Sequence, residues 1–229
     1  MNRDGRAADI FERAGDFFTT SLMGENTPAL QELSVESYRA LVAGVPVADQ
    51  ALAARTGSSV ATVASLLARH PASTIERDAS GAIIAFNGLS QKPTAHRFEV
   101  DGRALYVWCV FDALFLPQVL TKTAKLATNC PMTGEEIEVA IVIDRVDRVE
   151  PTGIVMSMVA PERQACRDDL RGAFCNRVSF FRDRNVFARA TDGRADVAAL
   201  DVEEALSLAC RRNRLRYPDL VLPSAPRKT

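Results

Sequence analysis

Residues 97–117 read RFEVDGRALYVWCVFDALFLP, and the fold prediction starts from this stretch. Its first half consists of two short alternating runs joined by Asp101-Gly102. This pair is typical of a tight hairpin, because a type I′ turn needs positive φ at both central positions. The second half, CVFDALFLP, is compact and apolar, which predicts a helical turn that ends at Pro117. The stretch therefore predicts a β-hairpin that leads directly into a buried helical segment.

Further strands and helices are indicated on the C-terminal side of this stretch. EIEVAIVID alternates apolar and polar residues, as a half-buried strand does, and PTGIVMSMVA and NRVSFF also predict strands. The charged segment PERQACRDDLRG between the last two predicts a helix. Asp201, followed three residues later by Glu204, resembles a capping box, which predicts a C-terminal helix through Ala209.

The first 85 residues are predicted to be mainly helical. Residues 47–70, VADQALAARTGSSVATVASLLARH, have the spacing of a helix-turn-helix with a break at Gly57, and TIERDASGAIIAF predicts a hairpin after it. The fold class is therefore α+β. A helical, winged-helix-like domain (1–85) is expected to pack on a catalytic domain (86–229) that contains a mixed β-sheet with flanking helices.

The charge distribution argues against a nucleic-acid partner. The chain carries 28 basic and 29 acidic residues, and residues 1–85 contain seven basic against ten acidic ones. The helix that would read DNA carries only Arg69, at its far end, whereas base contacts usually come from the N-terminal residues of such a helix. We therefore expect the N-terminal domain to be structural and the protein not to bind nucleic acid.

The N-terminal sequence, the lengths of the apolar runs and the cysteine content together predict a cytoplasmic protein. The N-terminus lacks the apolar core of a secretory signal, and no stretch approaches the roughly 18 apolar residues of a membrane span. No membrane association is therefore expected. A disulfide framework is not expected either, because no secretion signal is seen and the cysteines are widely spaced and odd in number: Cys109, Cys130, Cys166, Cys175 and Cys210.

Cys109 and Asp112 are the first candidates for chemistry. Three residues apart in a helix, they would lie on one face within contact range. Their apolar neighbours would raise the pKa of the carboxyl group, which could then accept and return a proton near neutral pH. The alternative is that Cys109 only packs in the core and Asp112 only caps a helix. Because C-x-x-D is a weak motif, spacing alone favours this second interpretation.

The remaining cysteines and histidines give weaker signals. Cys175 lies in GAFCNRVSFF, where a helix gives way to a strand, a junction that suits either the mouth of a pocket or the core. Cys130 lies in the turn-like segment NCPMTG and is interpreted as structural. No role is assigned to Cys166 or Cys210, and His96 is expected to be a surface or hydrogen-bonding residue.

Three segments, taken in order, resemble the bacterial organomercurial (alkylmercury) lyases. They are HRFEVDGRALYVWCVFDALFLP, ATNCPMTG and GAFCNRVSFF. The likeness extends upstream through ATVASLLARH and IAFNGLS and covers roughly residues 35–185. It implies that Cys109, Asp112 and Cys175 are catalytic and that Cys130 is structural. The chain departs from some family members at Asn176, where they carry a further cysteine.

The resemblance implies an enzyme that cleaves carbon–mercury bonds by protonolysis, giving a hydrocarbon and Hg(II), in mercury detoxification. Cys109, Cys175 and Asp112 would hold the mercury, since thiolates are the ligands that soft metals prefer. No cofactor is expected, excess free thiol would release Hg(II), and a mercuric reductase or cytoplasmic thiols would receive it. An apolar pocket would hold the organic group, with candidate walls Trp108, Phe111, Phe115 and Phe174. The alternative function is a mercury-responsive regulator or a mercury-binding thiol protein without lyase turnover.

Overall fold

The computed structural model describes residues 3–19, 26–192, 194–220, 222 and 224. Within these residues the α-helices are α1 (Arg3–Thr19), α2 (Pro28–Leu41), α3 (Asp49–Thr56), α4 (Val60–Leu67), α5 (Val110–Leu120), α6 (Arg163–Asp168), α7 (Leu170–Ala173), α8 (Arg184–Thr191) and α9 (Val202–Arg216). Short 3-10 helices occupy Ala72–Thr74 and Cys175–Arg177.

The strands of the described residues are β1 (Ile75–Arg77), β2 (Ile83–Phe86), β3 (Leu89–Ser90), β4 (His96–Val100), β5 (Arg103–Val107), β6 (Thr123–Asn129), β7 (Glu136–Val142), β8 (Arg145–Glu150), β9 (Val155–Val159), β10 (Phe180–Phe181) and β11 (Val197–Asp201). They form an eight-stranded sheet in the order β1-β2-β3-β5-β4-β6-β7-β8 and a three-stranded sheet in the order β10-β9-β11.

The α+β class with flanking helices is confirmed, but the sheet is not mixed as predicted. Every strand pairing between described residues is antiparallel. The physical reason is the shortness of most connections within the large sheet, because a tight turn can join only antiparallel strands whereas parallel strands need a long crossover.

The turns that local chemistry specifies lie where they were predicted. Asp101 and Gly102 have φ values of 53° and 69° and join β4 to β5. Gly57, with φ of 62°, ends α3, and the Ser59 hydroxyl caps α4 by accepting a hydrogen bond from the backbone N–H of Thr62 at 3.0 Å. Each of these turns and caps depends on a residue that adopts positive φ or on a side chain that accepts a local hydrogen bond. Their positions can therefore be predicted from the sequence alone.

The N-terminal helices and the hairpin that follows them are present as elements. The strand β2 of this hairpin also pairs with β3, so that the hairpin continues into the large sheet. The division into domains 1–85 and 86–229 stays a prediction.

The central helix α5 follows β5 directly, and all 11 of its residues are buried. A helix that is apolar on all sides is expected in the interior. It packs against α9, α2, β6 and β7. The helix therefore carries its first turn, which includes Asp112, into the middle of the molecule.

Pro117 lies inside α5 rather than at its end, so the predicted boundary was wrong. A proline within a helix costs roughly 3 kcal/mol through a lost hydrogen bond and ring crowding. Burial of one leucine side chain stabilises the folded protein by about 1.5 to 3 kcal/mol. Leu114, Leu116 and Leu120 are all buried. Tertiary burial therefore outweighs the local helix-breaking tendency of Pro117.

The C-terminal helix α9 begins at the predicted capping box. Asp201 and Glu204 exchange two hydrogen bonds of 2.8 Å between side chain and backbone. The helix continues past the predicted Ala209 to Arg216 and packs against both α5 and α1. Among the described residues, no helix is long and apolar enough to cross a membrane.

Candidate active site

Cys109 and Asp112 meet at the junction between β5 and α5. Cys109 is the N-cap residue of α5, and Asp112 occupies the third position of the helix. A carboxylate oxygen of Asp112 accepts a hydrogen bond from the backbone N–H of Cys109 at 2.9 Å. Asp112 thus helps to cap the helix, as one sequence interpretation held, and the same capping geometry holds its carboxyl group beside the Cys109 thiol.

Cys175 reaches the same place from a distant part of the chain. It begins the 3-10 helix Cys175–Arg177, between α7 and β10. The two sulfur atoms and a carboxylate oxygen of Asp112 all lie within 4.8 Å of one another. Among the described residues, no other group of three cysteine, histidine or acidic side chains is so close together. The structure therefore brings together the three residues that the sequence analysis proposed as catalytic.

Burial controls the acidity of the three groups. Burial raises the pKa of Asp112 from 3.8 to about 6, against hydrogen bonds from the Cys109 backbone and side chain that lower it. Burial also raises the pKa of the Cys109 thiol well above its ordinary value, as do its hydrogen bond to Cys175 and the charge of Asp112. For Cys175 the hydrogen bond to Cys109 lowers the pKa, but burial and the charge of Asp112 raise it more. Near neutral pH the site therefore holds two protonated thiols and one carboxylate.

An apolar cavity opens beside this cluster. Three of the aromatic residues predicted as pocket walls line it, namely Phe111, Phe115 and Phe174. The ring of Phe111 makes edge contacts with the other two, at centroid distances of 6.1 and 6.2 Å. Asp112 and Cys175 form part of the lining, so that the cluster borders a space bounded by aromatic rings.

Trp108 is buried but is not among the residues that line this cavity. The guanidinium group of Arg171 lies over its ring, 4.5 Å from the ring centre. The indole N–H of Trp108 is buried without a hydrogen-bond partner. The ring of Trp108 therefore packs against Arg171 and not against this cavity.

The polar part of the cavity wall was not predicted from the sequence. Asn87, Arg212 and Arg216 line the cavity together with Phe17 and Leu170. The guanidinium group of Arg212 lies 3.6 Å from the ring centre of Phe115. Burial lowers the pKa of Arg212, but Tyr217, Tyr38 and Asp112 raise it more, so this side chain stays charged. The four-residue spacing of the two arginines on α9 was the available signal, since it places them on one helix face.

The other cysteines lie outside the cluster of three. Cys130 is buried at the start of the turn before Gly134, where hydrogen bonds from Thr133 and from backbone N–H groups outweigh its burial and lower the pKa of its thiol. Cys166 is buried in α6, and Cys210 is half-buried in α9. The structural role of Cys130 stays a prediction.

His96 occupies the hydrogen-bonded position that was expected of it. Its Nδ1 atom lies 2.8 Å from the hydroxyl oxygen of Thr128, and burial lowers its pKa. It does not line the aromatic cavity.

Comparison with known proteins places this arrangement in one family. The family model described as MerB, alkylmercury lyase, matches residues 89–212. The alkylmercury lyase of Staphylococcus epidermidis is 37% identical over 168 residues, covering 73% of this chain and 75% of the relative. That of Pseudomonas putida is 35% identical over 185 residues, covering 81% and 84% of the two chains. The fold is similar to the crystal structure of the mercury-bound form of MerB2, with a TM-score of 0.72 at 22% identity, covering 90% of this chain and 99% of that one.

An antiparallel α+β fold that buries two thiols and a carboxyl group at an aromatic cavity defines a class of enzyme suited to substrates that carry a soft metal. The chain belongs to the alkylmercury lyase family. Its activity is the cleavage of carbon–mercury bonds in organomercurials. The relatives named above are lyases, so they give no support to the alternative of a regulator or of a thiol protein without turnover.

Proposed function

We propose that Cys109, Asp112 and Cys175 together carry out this cleavage by protonolysis. The observation that carries the proposal is the placement of two sulfur atoms and one carboxylate oxygen within 4.8 Å of one another in a buried site. Cleavage needs electron donation to mercury and a proton for the departing carbon, and this set of groups can supply both.

The first step is capture of the substrate, written R–Hg–X, by Cys109. The thiolate is the form that binds metals, so the thiol must first lose its proton. The carboxylate of Asp112 accepts that proton, because its pKa of about 6 leaves it ionised near neutral pH. The sulfur of Cys109 then replaces X on mercury. X takes the proton from Asp112 and leaves as HX, which returns Asp112 to its carboxylate form.

The second step breaks the carbon–mercury bond. Cys175 transfers its thiol proton to the Asp112 carboxylate, and its sulfur binds mercury as a second ligand. This raises the electron density on mercury and weakens its bond to carbon. Asp112 delivers a proton to that carbon, and the hydrocarbon RH departs. Two thiol protons are consumed in all, one in HX and one in RH, and Hg(II) remains bound to Cys109 and Cys175.

The cavity beside the cluster suits the organic group R. The rings of Phe111, Phe115 and Phe174 line the space that Asp112 and Cys175 face. Burial of an alkyl or aryl group against these rings stabilises the bound substrate by roughly 25 cal/mol for each Å² of apolar surface removed from water.

Product release requires thiols from outside the protein, and no cofactor takes part in the reaction as proposed. Small thiols of the cytoplasm, or a mercuric reductase, displace Cys109 and Cys175 from Hg(II) by ligand exchange. The burial of both sulfur atoms makes spontaneous loss of Hg(II) to water unfavourable.

The purified protein is therefore expected to convert phenylmercury into benzene over many turnovers when cysteine is present in excess. Without added thiol it should release no more than one benzene per protein molecule, because Hg(II) then stays on the two sulfur atoms. Benzene is measured by headspace gas chromatography in both conditions, and boiled protein corrects for chemical cleavage.

Two results would contradict parts of this account. Multiple turnovers without any added thiol would refute the release step. Stoichiometric mercury binding with no benzene in either condition would instead favour a mercury-binding protein without lyase turnover.

The initial rate is expected to fall as the pH is lowered through about 6. Asp112 must be unprotonated to accept the Cys109 proton, and its pKa is raised to about 6 by burial. The fraction in the active form therefore drops roughly tenfold for each pH unit below this value. The first turnover, followed from pH 5 to 8 without exchanging thiol, isolates this effect from the ionisation of the buffer thiol. A rate that increases on acidification through pH 6 would show that Asp112 starts the reaction in its protonated form.

A further inference from the structure

The two-residue turn Asn87-Gly88 lies directly against the proposed catalytic carboxyl group. It joins β2 to β3, with Phe86 and Leu89 paired on either side. The φ values of Asn87 and Gly88 are 41° and 106°, so both residues have positive φ. Asn-Gly is a pair that hairpin turns favour for this reason.

Gly88 approaches Asp112 too closely for any side chain to fit between them. A Cβ atom built on Gly88 would lie 2.5 Å from Oδ1 and 2.8 Å from Oδ2 of Asp112, and still closer to Cγ. Real Cβ atoms do not come within 3.0 Å of other heavy atoms in this way. The bare Cα atom of Gly88 therefore forms one wall of the space that the Asp112 carboxylate occupies.

The turn is itself fixed to the elements that carry the site. The carbonyl oxygen of Gly88 accepts a hydrogen bond of 2.8 Å from the backbone N–H of Trp108, the residue before Cys109. The carbonyl oxygen of Asn87 accepts a hydrogen bond of 3.2 Å from the Tyr38 hydroxyl. The turn therefore cannot move away from Asp112 without disturbing the start of α5.

The carboxylate is thus held between two neighbours. The backbone N–H of Cys109 donates to Oδ2 at 2.9 Å, and the carboxyl group occupies the space that a side chain at position 88 would need. A side chain at position 88 would force Asp112 into another rotamer and break its hydrogen bond to Cys109.

We propose that Gly88 is a positioning residue for the lyase reaction, because its missing side chain allows the Asp112 carboxylate to sit beside the Cys109 and Cys175 thiols. This inference rests on the proposed role of Asp112 in proton transfer. Displacing a proton-transfer group by about 1 Å can cost roughly 100-fold in rate.

The competing explanation is that position 88 needs glycine only because of its positive φ. Gly81 provides a control for this explanation. It lies in the turn between β1 and β2 with φ of 85°, and a Cβ atom there would meet nothing within 4 Å. Gly81→Ala therefore introduces the strain of an alanine at positive φ without a clash against any side chain.

The experiment compares Gly88→Ala with Gly81→Ala in full-length protein. Gly88→Ala is expected to lower kcat for benzene release roughly 100-fold, while Gly81→Ala stays within about twofold of wild type, as expected for a change remote from the chemistry. Stoichiometric binding of HgCl₂, followed by the ultraviolet absorbance of mercury thiolates, should be retained in both variants, because neither change touches the two sulfur atoms. Equal kcat values for the two glycine variants would refute the proposal.

A double-mutant cycle tests whether Gly88 acts through Asp112. Gly88→Ala is expected to lower Tm more than Gly81→Ala does, both in the wild-type background and with Asp112→Asn. This excess loss of Tm should become smaller with Asp112→Ala, which removes the three nearest atoms that the new Cβ would meet. The larger φ of Gly88, 106° against 85° for Gly81, adds backbone strain in every background. An excess that Asp112→Ala leaves unchanged would overturn the proposal, and this measurement needs no turnover.

The same variants separate this inference from the proposed function on which it rests. If Asp112→Asn retains full turnover, the proposed role of Asp112 fails. If Asp112→Asn loses turnover while Gly88→Ala behaves like Gly81→Ala, only the inference about Gly88 fails.

Discussion

Cys109→Ala and Cys175→Ala are each expected to lower benzene release from phenylmercury by at least about 10⁴-fold, since groups that act as one unit lose most of their effect when any member is removed. Each sulfur supplies one of the two ligands that the proposed mechanism needs on mercury. The two thiols are buried and hydrogen-bonded to each other, so the loss of either one removes a sulfur ligand that the fold holds in place.

Cys210→Ala is the control for this pair of substitutions. Cys210 is half-buried in α9 and lies outside the cluster of Cys109, Asp112 and Cys175. Its replacement removes a thiol from the same chain without touching the cavity, so kcat should remain within about twofold of wild type. Loss of activity in this variant equal to the loss in Cys109→Ala would mean that thiol content, rather than the cluster, determines turnover.

The two catalytic cysteines are also expected to fail at different steps. Cys175→Ala retains Cys109 and Asp112 and should still capture phenylmercury on Cys109, with the carbon–mercury bond intact. Peptide mapping by mass spectrometry after brief exposure to one equivalent of phenylmercury locates the adduct. The rate of adduct formation is compared between the two variants. If Cys175 in Cys109→Ala reacts as fast as Cys109 does in Cys175→Ala, the proposed order of attack is wrong.

Local sequence chemistry was sufficient to predict the start of the site. The Asp101-Gly102 turn, the apolar run after it and the three-residue spacing of Cys109 and Asp112 specify a hairpin followed by a capped helix. These are short-range preferences that depend on φ, capping and periodicity, and the structure reproduces them. The position of Pro117 could not be predicted in this way, because burial by α9 and α2 outweighs a local helix-breaking tendency.

The remainder of the site depends on contacts between residues that are distant in sequence. Nothing in the spacing of GAFCNRVSFF places Cys175 beside Cys109, and only the likeness to a family suggested that they act together. Arg212 and Arg216 reach the cavity because α9 packs on α5, which no local pattern predicts. Gly88 was visible in the segment IAFNGLS, but its contact with Asp112 follows from the pairing of β3 with β5.

Asp112→Asn is expected to lower kcat for benzene release by roughly 10² to 10⁴-fold, the usual contribution of a positioned acid–base group. The amide keeps the shape of the side chain, and its oxygen can still accept the hydrogen bond from the backbone N–H of Cys109. It cannot accept and return a proton at neutral pH. Mercury binding by Cys109 and Cys175 should therefore be retained, and a variant that turns over phenylmercury at the wild-type rate would refute the assignment of Asp112.

The same variant is expected to be more stable than wild type at pH 7.5. Burial raises the pKa of Asp112 from 3.8 to about 6, so the folded protein binds this proton more tightly than the unfolded chain does. Stability contributed by the neutral form is therefore present at low pH and is lost as the pH rises from about 4 to about 6. At 1.36 kcal/mol for each pKa unit, relief of this penalty amounts to roughly 1 to 3 kcal/mol of unfolding free energy.

Urea denaturation of wild type and Asp112→Asn at pH 7.5 and pH 4 measures this difference. The advantage of Asp112→Asn should shrink as the pH is lowered towards 4, where the wild-type carboxyl group is neutral in the folded protein and the penalty is absent. A variant that is less stable than wild type at pH 7.5 would mean that the charged carboxylate stabilises the site. The joint expectation, lower turnover with higher stability, distinguishes a group retained for proton transfer from one retained only to cap α5. Asn keeps the capping hydrogen bond, so turnover would be unchanged if capping were the only role of Asp112.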